Sequence, residues 1–63
     1  MTARTLPAAA IPIGAVVRLD GTDVTCARVD NSDPLPGWLT LTDTDGRVWR
    51  LGGGERVNVV SLP

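Results

Sequence analysis

Histidine, lysine, phenylalanine and tyrosine are all absent from this chain, and each absence closes off some chemistry. Without histidine there is no ordinary general base near neutral pH and no imidazole ligand for zinc, so any enzyme would have to work with scattered carboxylates alone. No catalytic residue, metal or cofactor is therefore expected. The single cysteine, Cys26, has no partner for an intrachain disulfide and no imidazole to activate it, so it reads as a buried structural thiol in a reducing compartment. No segment approaches the roughly 20 apolar residues that span a bilayer. The apolar opening around Leu6 to Ile13 has only Arg4 before it and carries Pro7 and Pro12, a poor match to a secretory signal. A soluble protein without a membrane partner is expected.

What is present is small and nearly neutral. Sixty-three residues leave room for one core, and a second lobe with a cleft between domains does not fit. Aromatic area is confined to Trp38 and Trp49, with valine, leucine and alanine supplying most of the rest. Contact with a neighbouring subunit would help so short a chain. Six arginines against seven acids give a formal charge of −1, so nothing draws the chain to nucleic acid as a whole.

Residues 1–12 show no alternation, and two prolines fix φ and remove backbone donors, so this stretch reads as an extended N-terminal arm. Leu6, Pro7, Ile11 and Pro12 would lie in a groove on a neighbouring protein. From Ile13 the period becomes two, predicting a first strand to Leu19, with Ile13, Ala15, Val17 and Leu19 on one side. Asp20-Gly21 marks a hairpin, and a second strand runs from Thr22 to about Val29. Val24 and Cys26 share a face that Val29 does not, which predicts a bulge near Ala27 or Arg28. Residues 30–37 collect aspartate, asparagine, serine, proline and glycine and read as the longest loop. Trp38 to Thr42 is a third strand, Asp43-Thr44-Asp45-Gly46 a tight hairpin, and Arg47 to Leu51 a fourth strand. After Gly52-Gly53-Gly54-Glu55, where one helical turn would also fit, a fifth strand runs from Val57 to Leu62. Five short strands in about fifty residues predict an all-β fold, a small five-stranded SH3-like barrel over residues 13–63 carried behind the 1–12 arm.

Several features invite a chemical reading and mostly admit a plainer one. Asp43-x-Asp45-Gly46 resembles the start of a calcium loop, but the distal glutamate of such a loop is replaced by Gly54 or displaced to Glu55, and turn chemistry accounts for the acids. Gly52-Gly53-Gly54 lacks the Lys-Ser/Thr and helix of a phosphate-binding loop, so a sharp reversal or close backbone approach explains it better. Trp38 follows the Leu35-containing proline loop and points opposite to Leu39 and Leu41, so it is either a surface grip for a partner or a cap on the barrel end. Trp49, in phase with Leu51, belongs to the core. Arg18, Arg47 and Arg50 would form a nucleic-acid stripe if the first and fourth strands were neighbours; otherwise they are solvated strand faces.

Taken together, the segment Ile13-Gly14-Ala15-Val16-Val17-Arg18-Leu19, the Asp20-Gly21 turn, the Asp43 to Gly46 hairpin and the Trp49 strand resemble the small SH3-like barrels encoded by bacteriophages. The resemblance covers residues 13–62. It implies a capsid decoration protein or other virion component, present in many copies, binding capsid or other assembly subunits through the barrel and an extended arm. A virion or host-cytoplasmic location follows. On that view Leu6, Pro7, Ile11, Pro12, Leu35 and Trp38 are the partner-binding residues. The rival expectation is a nucleic-acid-binding or regulatory module using Arg18, Arg47 and Arg50.

Overall fold

The computed structural model describes residues 4–31 and 37–63. Its elements are β1 (Arg4–Pro7), a 3₁₀ turn (Ala8–Ala10), β2 (Val16–Leu19), β3 (Thr22–Asp30), β4 (Trp38–Asp43), β5 (Val48–Gly52) and β6 (Arg56–Ser61). All strand pairs are antiparallel, and the single sheet has the order β1-β6-β2-β3-β4-β5. The fold is all-β, as the alternation predicts. It has six strands rather than five, and it is an open sheet with β1 and β5 at its edges, not a closed barrel.

The additional strand comes from the leader. Arg4 to Pro7 pair with Val59 to Arg56, and the 3₁₀ turn is pinned beyond them by Ala8 N–H to Glu55 O (2.8 Å) and Ala9 N–H to Gly53 O (3.3 Å). Ala8 and Ile11 are buried in the domain's own core. Residues 1–12 are thus not a projecting arm over their described part. The prolines that suggested one are accommodated because Pro7 sits at the end of an edge strand, where its missing N–H breaks no ladder bond.

The turns follow local chemistry. Asp20 (φ 51°) and Gly21 (φ 76°) both take positive φ, the backbone of a primed two-residue hairpin whose twist suits the flanking strands. β3 serves two halves of the sheet. Thr22 to Thr25 pair with β2, and from Cys26 onward the strand pairs with β4, with the register slipping between Cys26 and Arg28. The broken alternation in the sequence predicts this bulge, which turns Val24 and Cys26 inward before the slip and Val29 inward after it.

The core lies on the concave side. Val17, Leu19, Val24, Cys26, Leu39, Leu41, Leu51 and Val57 join Ala8, Ile11 and Ala15, with Val29, Trp49 and Val59 packed against them. Strands β2 to β6 supply residues in alternation, as the two-residue period requires, and the leader adds Ala8 and Ile11 from beyond β1.

Candidate functional site

Two surfaces stand out, one on the outer face of β4 and β5 and one in the gap where the sheet fails to close. On the outer face Trp38 is 44% exposed, opposite in phase to the fully buried Leu39 and Leu41. Val48, across the ladder from Thr42, is 60% exposed. The Arg50 guanidinium stands 5.4 Å from the centre of the Trp38 ring, a cation–π distance. Trp38 is therefore a surface aromatic, braced by an arginine.

The gap is a cleft of about 410 Å³ between β5 on one side and β2 and β6 on the other. Leu19, Leu51 and Val57 form its floor, and Arg18, Arg50, Arg56, Asp20, Glu55 and Asn58 its walls with Trp49. The first and fourth strands expected from the sequence correspond to β2 and β5, which are not neighbours in the sheet. They nevertheless face each other across this opening, which brings Arg18 and Arg50 to one cleft together with Arg56. Arg47 is not part of it. Its guanidinium lies 4.0 Å above the Trp49 ring centre instead.

The electrostatics are largely internal. Arg18 Nε donates to Asp23 Oδ1 at 2.8 Å across the β2–β3 pair, which raises the arginine pKa and holds the Asp23 carboxyl below its ordinary range. Both side chains are well exposed, so solvent screens this pair and it adds little to stability. Asp43 is different, being buried at the end of β4. Its Oδ2 accepts from Trp49 Nε1 (3.0 Å), and its Oδ1 accepts from the N–H groups of Asp45 (2.9 Å) and Arg47 (3.0 Å). The indole bond is the main reason its pKa is lowered; burial opposes this, and the two backbone donors and the charge of Arg47 assist. The carboxylate thus closes the β4–β5 hairpin and anchors Trp49 against the core. The aspartate six residues before a tryptophan was the available sequence signal for this bond.

The other readings resolve as follows. Both Asp43 oxygens are taken by N–H donors, and no group of three or more His, Cys, Asp or Glu side chains converges among the described residues. Gly53 donates to Gly37 O at 2.7 Å, and a Cβ on Gly53 would stand 3.3 Å from that oxygen. The glycine run is a reversal with close backbone approach, and the Glu55 N–H to Gly52 O bond (3.0 Å) closes it. Cys26 is buried, and desolvation pushes its thiol pKa up.

Of the residues expected to bind a partner, Trp38 and Pro12 are exposed, Leu6 and Pro7 are half-buried in the β1–β6 pair, and Ile11 is turned into the core. Leu35 lies outside the described residues. Comparison of the chain with protein-family models, with curated proteins and with solved structures finds no match in any of the three.

Proposed function

We propose that this chain is a non-enzymatic interaction protein built on an open, SH3-like β domain, most concretely a bacteriophage virion component such as a capsid decoration protein held in many copies by the shell. The observation that carries this reading is the outer face of β4 and β5, where Trp38 and Val48 stand exposed on adjoining strands of a rigid ladder. A tryptophan held at a surface by regular structure supplies large contact area with little entropy lost on binding, as interface anchors do. The SH3-like description is supported by the long, bulged β3 that serves both halves of the sheet. The leader no longer supplies the grip, since Ile11 is buried at home; the contact surface passes to Trp38 and Val48.

The test is sedimentation of lysate from the producing host through a density gradient. The wild-type chain should travel with particles and be monomeric when purified alone, and the Trp38→Ala, Val48→Ser double variant should stay at the top while remaining folded. A wild-type chain found only in the monomer fractions refutes the virion role. The rival reading, a nucleic-acid module, gains from the meeting of Arg18, Arg50 and Arg56 at one cleft. It predicts a gel shift at low ionic strength that salt abolishes.

A further inference from the structure

The dipeptide Asp-Gly occurs twice in this chain, at Asp20-Gly21 and at Asp45-Gly46, and both copies are exposed at hairpin turns. An aspartate followed by glycine is placed to react with its own backbone, because the unhindered glycine nitrogen can attack the side-chain carboxyl carbon and close a five-membered ring. The two turns hold that nitrogen differently.

In the β4–β5 turn the Gly46 N–H donates to Asp43 O (3.0 Å), and on either side of it the Asp45 and Arg47 N–H groups donate to Asp43 Oδ1 (2.9 and 3.0 Å). Turning the Asp45-Gly46 peptide over breaks the first of these bonds and pulls on the other two. Asp43 is buried and bonded to the Trp49 indole, so it is not free to follow. In the β2–β3 turn the Gly21 N–H has no acceptor and the Asp20 carboxylate no donor among the described residues. A Cβ placed on Gly21 would meet nothing within 4 Å, so the peptide has room to turn.

The backbone supplies the rest. Asp20 at φ 51° and Gly21 at φ 76° form a type I′ turn between the paired Leu19 and Thr22. Turning over only the central peptide converts type I′ into type II′, which keeps the φ of Asp20, moves its ψ to about −120° and takes Gly21 to a φ of about −80°. Glycine accepts that φ as readily as the positive one. In an L-residue the new ψ brings the following nitrogen alongside Cβ, the arrangement of the closed ring. Type II′ prefers glycine at its first position, so the flipped turn is a minor state and the reaction is slow.

We propose that Asp20-Gly21 is a site of spontaneous isomerisation to isoaspartate, and that Asp45-Gly46, the same dipeptide, is protected by its bonds to Asp43. The Gly21 nitrogen attacks Cγ of the protonated Asp20 side chain; the N–Cγ bond forms, the Cγ–OH bond breaks, and the hydroxyl leaves with the amide hydrogen as water. Water then opens the succinimide. Attack at Cγ restores aspartate, whereas attack at the main-chain carbonyl breaks its bond to nitrogen and leaves the chain running through the former side-chain carbonyl. Composition is unchanged overall, and no oxidant or cofactor takes part. The main chain between Leu19 and Thr22 is then one carbon longer, so the turn no longer matches the twist of β2 and β3. Asp20 also stands on the wall of the cleft, so the change reaches that surface, whatever partner the chain has.

The experiment is ageing of the purified full chain at neutral pH, with and without denaturant. Isoaspartate is counted by an isoaspartyl-specific methyltransferase with labelled S-adenosylmethionine and located by peptide mapping with electron-transfer fragmentation. In the native chain isoaspartate should accumulate at least about tenfold faster at position 20 than at position 45, the factor expected from the hydrogen bonds that Gly46 and its neighbours must give up. In denaturant the two rates should converge. The Asp20→Asn variant keeps the turn and closes the same ring with loss of ammonia, so it should form aspartate and isoaspartate at position 20 in the folded chain, seen also as a mass gain. The proposal is overturned if the native chain forms isoaspartate equally at both positions or faster at 45, or if neither wild type nor Asp20→Asn reacts at position 20 under conditions where the denatured chain does. A rate ratio that is the same in native and denatured chain would also overturn it, because the difference would then belong to the flanking sequence and not to the turn.

Discussion

Ile11 and Ile13 are the same residue type two positions apart, and the structure gives them opposite fates. Ile11 is 6% exposed within the core cluster, and Ile13 is 68% exposed in the turn before β2. Truncating Ile11 to alanine removes buried methyl groups and leaves a void against the underside of the sheet, which costs about 2–5 kcal/mol. A domain of 63 residues at roughly 0.05–0.15 kcal/mol per residue holds only about 3–9 kcal/mol in all. Taking about 3 kcal/mol for the variant, and about 4–8 °C per kcal/mol for a domain of this size, the Tm should fall by roughly 12–24 °C. Ile13→Ala should stay within about 0.5 kcal/mol of the wild type. Thermal unfolding followed by tryptophan fluorescence and circular dichroism measures both, and agreement of the two probes establishes the two-state behaviour that the comparison needs. Equal Tm values for the two variants would refute the claim that the leader is part of the domain. The result also governs how truncations are interpreted: deleting residues 2–12 should unfold the chain, so any binding lost with them reports on folding.

The Asp43 carboxylate is held below its ordinary range in the folded state, so its contribution is complete above the unfolded-state pKa of about 3.9 and is lost as pH falls through the lower folded value. Asp43→Asn should accordingly lower the Tm at neutral pH, because an amide cannot satisfy the indole and both backbone donors together, and the difference from the wild type should narrow in acid; a constant gap over the acidic range would contradict the assignment. Gly21→Val places a β-branched residue at φ 76° and should cost about 1–2 kcal/mol or more, read as a lowered denaturant midpoint at unchanged slope. The Cys26 thiol, buried and raised in pKa, should react with a thiol reagent only slowly in the native protein and rapidly in denaturant; fast native labelling would mean that β3 opens readily.

Much of the chain declares itself locally. The turn at Asp20-Gly21, the hairpin at Asp43 to Gly46 and the two-residue period of Val17 to Leu19, Leu39 to Leu41 and Trp49 to Leu51 depend on φ preferences and side-chain alternation, which neighbouring residues settle among themselves. The bulge at Cys26 to Arg28 is legible for the same reason, since a slipped phase in the pattern is a slipped register in the sheet. The surface position of Trp38 follows from its phase against Leu39 and Leu41.

The leader and the cleft are different in kind. Residues 4–7 have neither alternation nor β-branched density beyond Thr5, and they become a strand because β6 offers them a ladder from 49 to 55 positions away. No local rule distinguishes Ile11 from Ile13, because the distinction is which one the returning chain covers. The meeting of Arg18 with Arg50 likewise depends on the curvature of the whole sheet, which faces β2 toward β5 although they are not paired. Sequence alone thus determined the all-β character, the turns, the bulge and the outward tryptophan, because short-range backbone and side-chain preferences set them. Tertiary structure alone decided the sixth strand, the open seam and the arginines around it, because long-range pairing and the bending of one open sheet are collective outcomes that no single segment encodes.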